Sequence, residues 1–327
     1  MKKNKKKRKV RKGAIRTLLA MVCLSAFIFA VDGARRDLFK PSTDSSVEIG
    51  ENSNFLEKNG KPPAVNTVVF SPNSKPTSTT PVVVQNAGFS EVSFTPDRLS
   101  QGLLAISENS QPLALDNPDE MVNAAEQANE FYTVEGENVM LHKDALDALN
   151  RLMKDYHEET ELDDFVLYGT TDTYTGTGST CPRYFAERSN GYTVDLTLLG
   201  VGSYLEFDGL DEEGWVVENC AKYGFIVRYP EGKSQITGEN YCPWHLRYVG
   251  VANAMAMTEK NMCLEEYVDF LKDYKLDKPF TYKVGGFGYV IYTVEATDGE
   301  TPVKVPIGGS YDWSGDNRGT YIISYRN

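Results

Sequence analysis

Residues 214–250 read GWVVENCAKYGFIVRYPEGKSQITGENYCPWHLRYVG, and the order of patterns inside this stretch decides the fold class. The acids from Asp211 onward start a helix carrying Trp215, Val216, Cys220 and Tyr223, and Gly224 stands where a left-handed C-terminal cap is required. Phe225 to Tyr229 (FIVRY) resumes as a strand. Tyr241 to Val249 (YCPWHLRYV) reads as another, its Pro243 suggesting an edge strand or a bulge. Helices and strands mix here without regular βαβ alternation, which predicts an α+β core over a doubly wound parallel sheet.

Working outward, residues 262–274 (MCLEEYVDFLKDY) form a helix, and residues 277–327 alternate aromatic and β-branched residues with Gly-rich turns, predicting a small C-terminal β-appendage. Upstream, Tyr192 to Leu199 (YTVDLTLL) and Asp164 to Tyr168 (DFVLY) read as strands. The glycines of the 170–180 loop (TTDTYTGTGST) are turn residues, because their spacing is unlike a phosphate-binding fingerprint. Apolar positions 145, 146, 149, 152, 153 and 156 recur at helical spacing, so residues 141–156 form an amphipathic helix with one buried face. Order begins near Leu99, with Gly102 to Ile106 as a short strand. The stretch 34–97, rich in Ser, Thr, Pro and Asn, reads as a linker that holds the folded part away from its attachment point. No internal repeat is found.

A chain of 327 residues with 41% hydrophobic and 24% charged positions has enough apolar material for a substantial core, so wholesale disorder is excluded. The formal charge of −12 hides a split. Residues 1–33 carry ten Lys/Arg against the single acid Asp32; the remainder carries 24 bases against 45 acids, a balance of −21. Such a body has no surplus to neutralise phosphates, which argues against nucleic acid as a partner. The basic cluster Lys2 to Lys12 precedes the apolar run Thr17 to Val31, the pattern of an export signal or membrane anchor. Counting from Gly13 with Arg16 snorkelling brings the run close to spanning length, and an uncleaved anchor is the expectation, with positive-inside orientation placing the body outside the cytoplasm. Cys181, Cys220, Cys242 and Cys263 contain no C-x-x-C pair, so a zinc knuckle is not expected.

The chain has three histidines. His142 and His157 flank a Lys/Asp/Glu-rich helix surface and read as solvated residues. His245 lies among aromatic residues, where a buried imidazole needs a defined partner. Around it the sequence resembles the VanY-type D-alanyl-D-alanine carboxypeptidases, zinc enzymes that trim terminal D-Ala from peptidoglycan precursors. The resemblance runs through Glu218-Asn219, Ala221 to Pro230, Ile236-Thr237-Gly238, Pro243-Trp244-His245, Arg247 to Gly250 and Leu264 to Tyr267, with weaker similarity at Gly102-Leu103-Leu104, Val305-Pro306 and Ser314 to Asn317, about 200 residues in all.

The resemblance implies an α+β fold, a mostly antiparallel sheet flanked by helices of the D,D-carboxypeptidase/hedgehog-like type, over residues 98–276. It also implies a zinc held by a His, an Asp seven residues later and a second His, with a Glu three residues before that His as general base. Asp195 falls on the ligand Asp and His245 on the second ligand His. Arg188 stands at the first ligand position, Cys242 at the base position, and Thr171 at the place of an Arg that binds the substrate carboxylate. A guanidinium stays protonated and has no lone pair to donate. Loss of the base alone removes roughly 10²- to 10⁴-fold of rate. The expectation is therefore a domain without zinc, Arg188 pairing with Asp195, that binds peptidoglycan stem peptides or a wall-associated protein. The competing expectation is an active zinc D,D-carboxypeptidase or altered peptidase, including a Cys242 thiolate at the metal or a Cys242–His245 nucleophilic pair. The host implied is a Gram-positive-type bacterium.

Overall fold

The computed structural model describes residues 88–107, 113–115, 117–169 and 187–327; the N-terminal basic and apolar segment, most of the expected linker, the 170–180 loop with Thr171, and Cys181 lie outside the described residues. Among the described residues no helix is long and apolar enough to cross a membrane.

The core is a mixed sheet of six strands. Its main path runs β3 (Thr133–Val134), β5 (Phe165–Gly169), β6 (Thr193–Leu199), β9 (Cys242–Tyr248) and β8 (Phe225–Tyr229), with β7 (Tyr204–Leu205) also on β6. The β3–β5 pair is parallel and the others are antiparallel; a separate antiparallel pair is made by β2 (Met121–Asn123) and β4 (Met140–His142). Against one face packs α1 (Lys143–Thr160), whose buried residues Leu146, Leu149, Leu152, Met153 and Tyr156 meet Phe165, Leu167, Val194, Leu196, Phe225 and Leu246. His142 caps its N-terminus, accepting from the Asp144 N–H, and Glu161 ends it in the left-handed region at φ 63°. The expected helix after Asp211 is α2 (Gly214–Asn219) continued by a 3₁₀ turn, and Gly224 closes it at φ 93°. The helix expected at 262–274 is α4 (Leu264–Leu271), preceded by α3 (Val251–Lys260). These two helices enclose a second apolar cluster with Ile226, Leu264, Val268 and Ile291.

The C-terminal β-appendage is a four-stranded antiparallel sheet, β10 (Phe280–Val284), β11 (Phe287–Glu295), β14 (Thr320–Arg326) and β13 (Tyr311–Gly315). Beside it, β12 (Thr301–Pro306) pairs with β1 (Phe89–Phe94). The expected linker therefore stops short of residue 97: β1 and a 3₁₀ turn at Pro96–Ser100 are ordered, held by a partner strand more than 200 residues away.

One further expectation is corrected, and the alternatives for Pro243 are decided in favour of the bulge. Gly102 to Ile106 is not a strand. Gly102 sits at φ 92° with Ser314 so close that a Cβ would lie 2.7 Å from it; the Leu104 N–H donates to Ser314 Oγ, and the Ile106 N–H to the Asp316 carbonyl. The segment's backbone is satisfied by the C-terminal strands instead of a ladder of its own. β9 is also no edge strand: it lies between β6 and β8, and Pro243 falls beside the register shift between Val227 and Tyr229, where a ladder donor is dispensable.

Candidate functional site

Alternation along β6 and β9 divides the sheet into two chemically different faces. Val194, Leu196 and Leu246 join the apolar cluster under α1. The intervening residues, Thr193, Asp195, His245 and Arg247, occupy the other face, with Asp195 opposite His245 and Thr193 opposite Arg247 in register. Arg228 joins them from β8, Glu187 and Arg188 from the turn before β6, and Glu265 from α4.

The centre of this face is a three-residue chain. Asp195 and His245 are fully buried and Arg188 nearly so. One Asp195 carboxylate oxygen accepts from the His245 ring at Nδ1, and the other pairs with the Arg188 guanidinium. A carboxylate accepts only, so Nδ1 carries the proton in a neutral ring. Burial, joined by the guanidiniums of Arg188, Arg228 and Arg247 and opposed by Glu187, lowers the His245 pKa to about 3, so the imidazole is neutral at physiological pH. Its ring stacks on Tyr229 with centroids 5.4 Å apart.

A second charged cluster surrounds this chain. The Arg228 Nε donates to both Glu187 oxygens at 2.9 and 2.8 Å, while Nη1 and Nη2 reach Glu265 at 3.0 and 2.7 Å. Burial by itself pulls the Arg228 guanidinium down, but Glu187 and Glu265 outweigh it and hold its pKa well above the ordinary value. Arg247 donates through Nη2 to the Gly102 and Leu103 carbonyls and lies 4.0 Å from Glu187; burial brings its pKa to about 10, still protonated at neutral pH. Three carboxylates (Glu187, Asp195, Glu265) thus face three guanidiniums (Arg188, Arg228, Arg247), all buried.

Cys242 is buried at the start of β9, opposite Tyr229, and its thiol donates to the Asn240 carbonyl at 3.3 Å. Cys220 and Cys263 are free thiols. Tyr168, at the end of β5, completes the neighbourhood: burial raises its pKa, with Arg188 pulling the other way and Cys242 adding to the rise.

Most of this face lies in a stretch that matches known proteins. Residues 181–251 match the VanY family, described as D-alanyl-D-alanine carboxypeptidase. A D-alanyl-D-alanine carboxypeptidase of Enterococcus faecium is 40% identical over 144 residues, 44% of this chain and 45% of its own length. The crystal structure of the vancomycin resistance D,D-dipeptidase VanXYg, solved with a D-Ala-D-Ala phosphinate analogue, superposes with a TM-score of 0.60 at 22% identity, covering 73% of this chain and all of that one. A VanY D,D-pentapeptidase variant from a VanB-type resistance cassette, solved in complex with Zn(II), is a weaker likeness, at 23% identity over 51% of this chain and 98% of that one, with a TM-score of 0.38. The VanY-family likeness is thus carried by residues 181–251. The chain spans less than half the length of the curated relatives it matches.

Of the five positions singled out in sequence, four fall on one neighbourhood, and Thr171 lies outside the described residues. Arg188, Asp195 and His245 are in direct contact, and Cys242 opens the strand that carries His245. The zinc that the family implies does not fit these residues. A ligand carboxylate must direct a lone pair at the ion, yet both Asp195 oxygens are engaged, one by a ring N–H and the other by a permanent cation. The thiol of Cys242 is directed to the Asn240 carbonyl.

Sequence reading misjudged His142, which is buried; His157, half-buried, hydrogen-bonds the Leu162 carbonyl at 3.0 Å. His142 stacks on Tyr192, and together with Glu120 and Asp144 it brings three potential metal-donor atoms within 4.8 Å of one another. Both its nitrogens are committed, Nδ1 accepting from the Asp144 N–H at 3.3 Å and Nε2 facing Glu120 at 3.0 Å. The Lys143 ammonium, 3.0 Å from Glu120, supplies the cation and holds the Glu120 carboxyl below its ordinary range. This cluster is a capped helix start with its own counter-charge. Sequence reading also passed over Glu187, Arg228, Arg247 and Glu265. The available signal was an arginine inside each of two apolar strands, FIVRY and HLRY, since a buried guanidinium demands carboxylate partners.

Proposed function

We propose that this chain is a catalytically degenerate VanY-type domain that acts outside the cytoplasm by binding peptidoglycan stem peptides or a wall-associated protein, held at the membrane by its N-terminal segment. The observation that carries the reading is the Arg188–Asp195 contact: the carboxylate that would serve a metal is neutralised by a side chain of the same protein. Cys242 at the position of the base supports it, because a thiol bound to a backbone carbonyl does not take a proton from water. The family match and the E. faecium relative support a ligand ending in D-Ala-D-Ala. The acidic body argues for contacts with the wall peptide or with protein and against nucleic acid.

Two assays on the purified full chain test this. Release of D-Ala from a pentapeptide ending in D-Ala-D-Ala is expected to stay at the no-enzyme rate, and co-sedimentation with purified sacculi is expected. Turnover above background would restore the reading of an active D,D-carboxypeptidase. Absence of both turnover and sedimentation would leave only a protein partner.

A further inference from the structure

We propose that Arg188 is the resident cation of this centre: its guanidinium supplies, from within the chain, the positive charge a divalent ion would bring to Asp195, so the domain folds without metal and does not admit zinc between Asp195 and His245. The inference rests on the VanY-type reading of the site and goes beyond it, because it makes a claim about folding and metal content that is independent of what the domain binds.

Charge balance on the buried face carries the argument. Glu187, Asp195 and Glu265 contribute three negative charges and Arg188, Arg228 and Arg247 three positive ones, all at no more than 6% exposure. Among the described residues the charges on this face balance. Adding a dication would leave two uncompensated positive charges among side chains shielded from bulk solvent, which burial penalises heavily. Arg188 cannot readily leave either, because its departure strands Asp195, which has no exposed surface.

The same count states what would reverse the situation. Arg188→His removes one positive charge, and Cys242→Glu adds one negative charge at the position of the base. The double variant then holds four carboxylates against two guanidiniums, a deficit of two charges that one divalent ion neutralises. It also supplies Asp195 with a lone pair directed into the site and gives a third ligand beside Asp195 and His245, the number a hydrolytic zinc centre uses.

The experiment measures zinc content by mass spectrometry of the purified full chain, and thermal unfolding with EDTA or with added zinc. For the natural sequence, substoichiometric zinc and a melting temperature indifferent to both additions are expected. The Arg188→His/Cys242→Glu variant is expected to hold about one zinc per chain and to melt higher with zinc and lower with EDTA. Arg188→Lys, which keeps the charge, is expected to recover much of the melting temperature that Arg188→Ala loses. Stoichiometric zinc with an EDTA-sensitive melting temperature in the natural chain would overturn the proposal, as would a folded double variant that takes up none. Should the double variant not fold, the natural chain's zinc content and the Lys/Ala comparison decide. Failure to bind sacculi, with the metal-free behaviour intact, would sink the wall-binding reading alone.

Discussion

Replacing Arg228 with methionine is expected to be among the most damaging single changes available in this fold. The side chain is fully buried and makes four N···O contacts between 2.7 and 3.0 Å, two with Glu187 and two with Glu265. Methionine fills similar volume, so the loss is chiefly electrostatic. Glu187 keeps Arg247 at 4.0 Å, whereas Glu265 loses its contacts at 2.7 and 3.0 Å. Breaking one buried pair by removing a partner costs roughly 3–5 kcal/mol. That is a large share of the ~5–15 kcal/mol that holds a domain together. With a urea dependence of about 3 kcal/mol per molar, the upper part of the usual range, the midpoint falls by roughly 1–2 M.

The pH dependence has a definite sign. The Glu265 pKa is lowered in the folded chain: burial raises it, and Arg228 by charge and hydrogen bonding more than reverses this. A depressed carboxyl contributes stability that is present above its unfolded pKa and is lost as pH falls through the folded one. Without Arg228 the burial effect meets only the smaller opposition of the Glu265 backbone N–H and Cys263, the carboxyl rises, and protonation relieves the variant. The gap between natural chain and variant is therefore expected to be widest near pH 7 and to narrow toward pH 4 in urea titrations followed by tryptophan fluorescence. The double variant Arg228→Met/Glu265→Gln should regain a good part of the loss at pH 7, because no carboxylate is then stranded on α4. A single-variant midpoint within about 0.3 M of the natural chain, or a double variant no better than the single, would refute the assignment of this cluster as a charge-balanced unit.

Asp164 makes the opposite case. Burial raises its pKa despite the Tyr156 hydroxyl that donates to it at 3.0 Å, so its charged form opposes folding as pH rises through that value. Asp164→Asn, whose amide oxygen still accepts from Tyr156, should leave the urea midpoint at pH 7 unchanged or raised, and a fall of more than about 0.5 M would contradict this. Gly191 sits at φ 79°, where an added Cβ would lie 2.6 Å from Met121 Cε and 2.7 Å from its Sδ. Gly191→Ala combines left-handed strain with this clash and should cost more than about 1 kcal/mol, read as a drop of several degrees in melting temperature; an unchanged melting temperature would mean that the turn before β6 is not fixed as described.

How far the sequence disclosed this structure depended on whether a signal was local. α1 was legible because its apolar positions recur every three or four residues over four turns, and Gly224 because only a left-handed cap asks for glycine there. β1 was not legible. FSEVSF follows a polar stretch and has no hairpin partner nearby; its ladder is made with β12, more than 200 residues on. The apolar run at Gly102 to Ile106 misled in the other direction, since its burial comes from packing on Ser314 and Asp316 and not from a sheet. At the site, the resemblance located Arg188, Asp195, Cys242 and His245 by spacing, while the partners of Arg228 and Arg247 lie on a turn and on α4, and no pattern in one sequence links them.

Tolerance of the Arg188 substitution follows from a separation of labour between the two faces of the sheet. The apolar face, α1 and the cluster around α3 and α4 supply the burial that drives folding, and none of it involves Asp195. A domain built this way differs from a small zinc finger, where the metal is the folding energy. What the charged face demands is only that no carboxylate be left alone. A guanidinium meets that demand as well as an ion does for stability, but it does not leave an open coordination position or polarise a water. On the reading proposed above, Arg188 at this corner separates folding from hydrolysis: it keeps the first without the chemistry of the second, and Cys242 stands where a base would need a metal-bound water to act on.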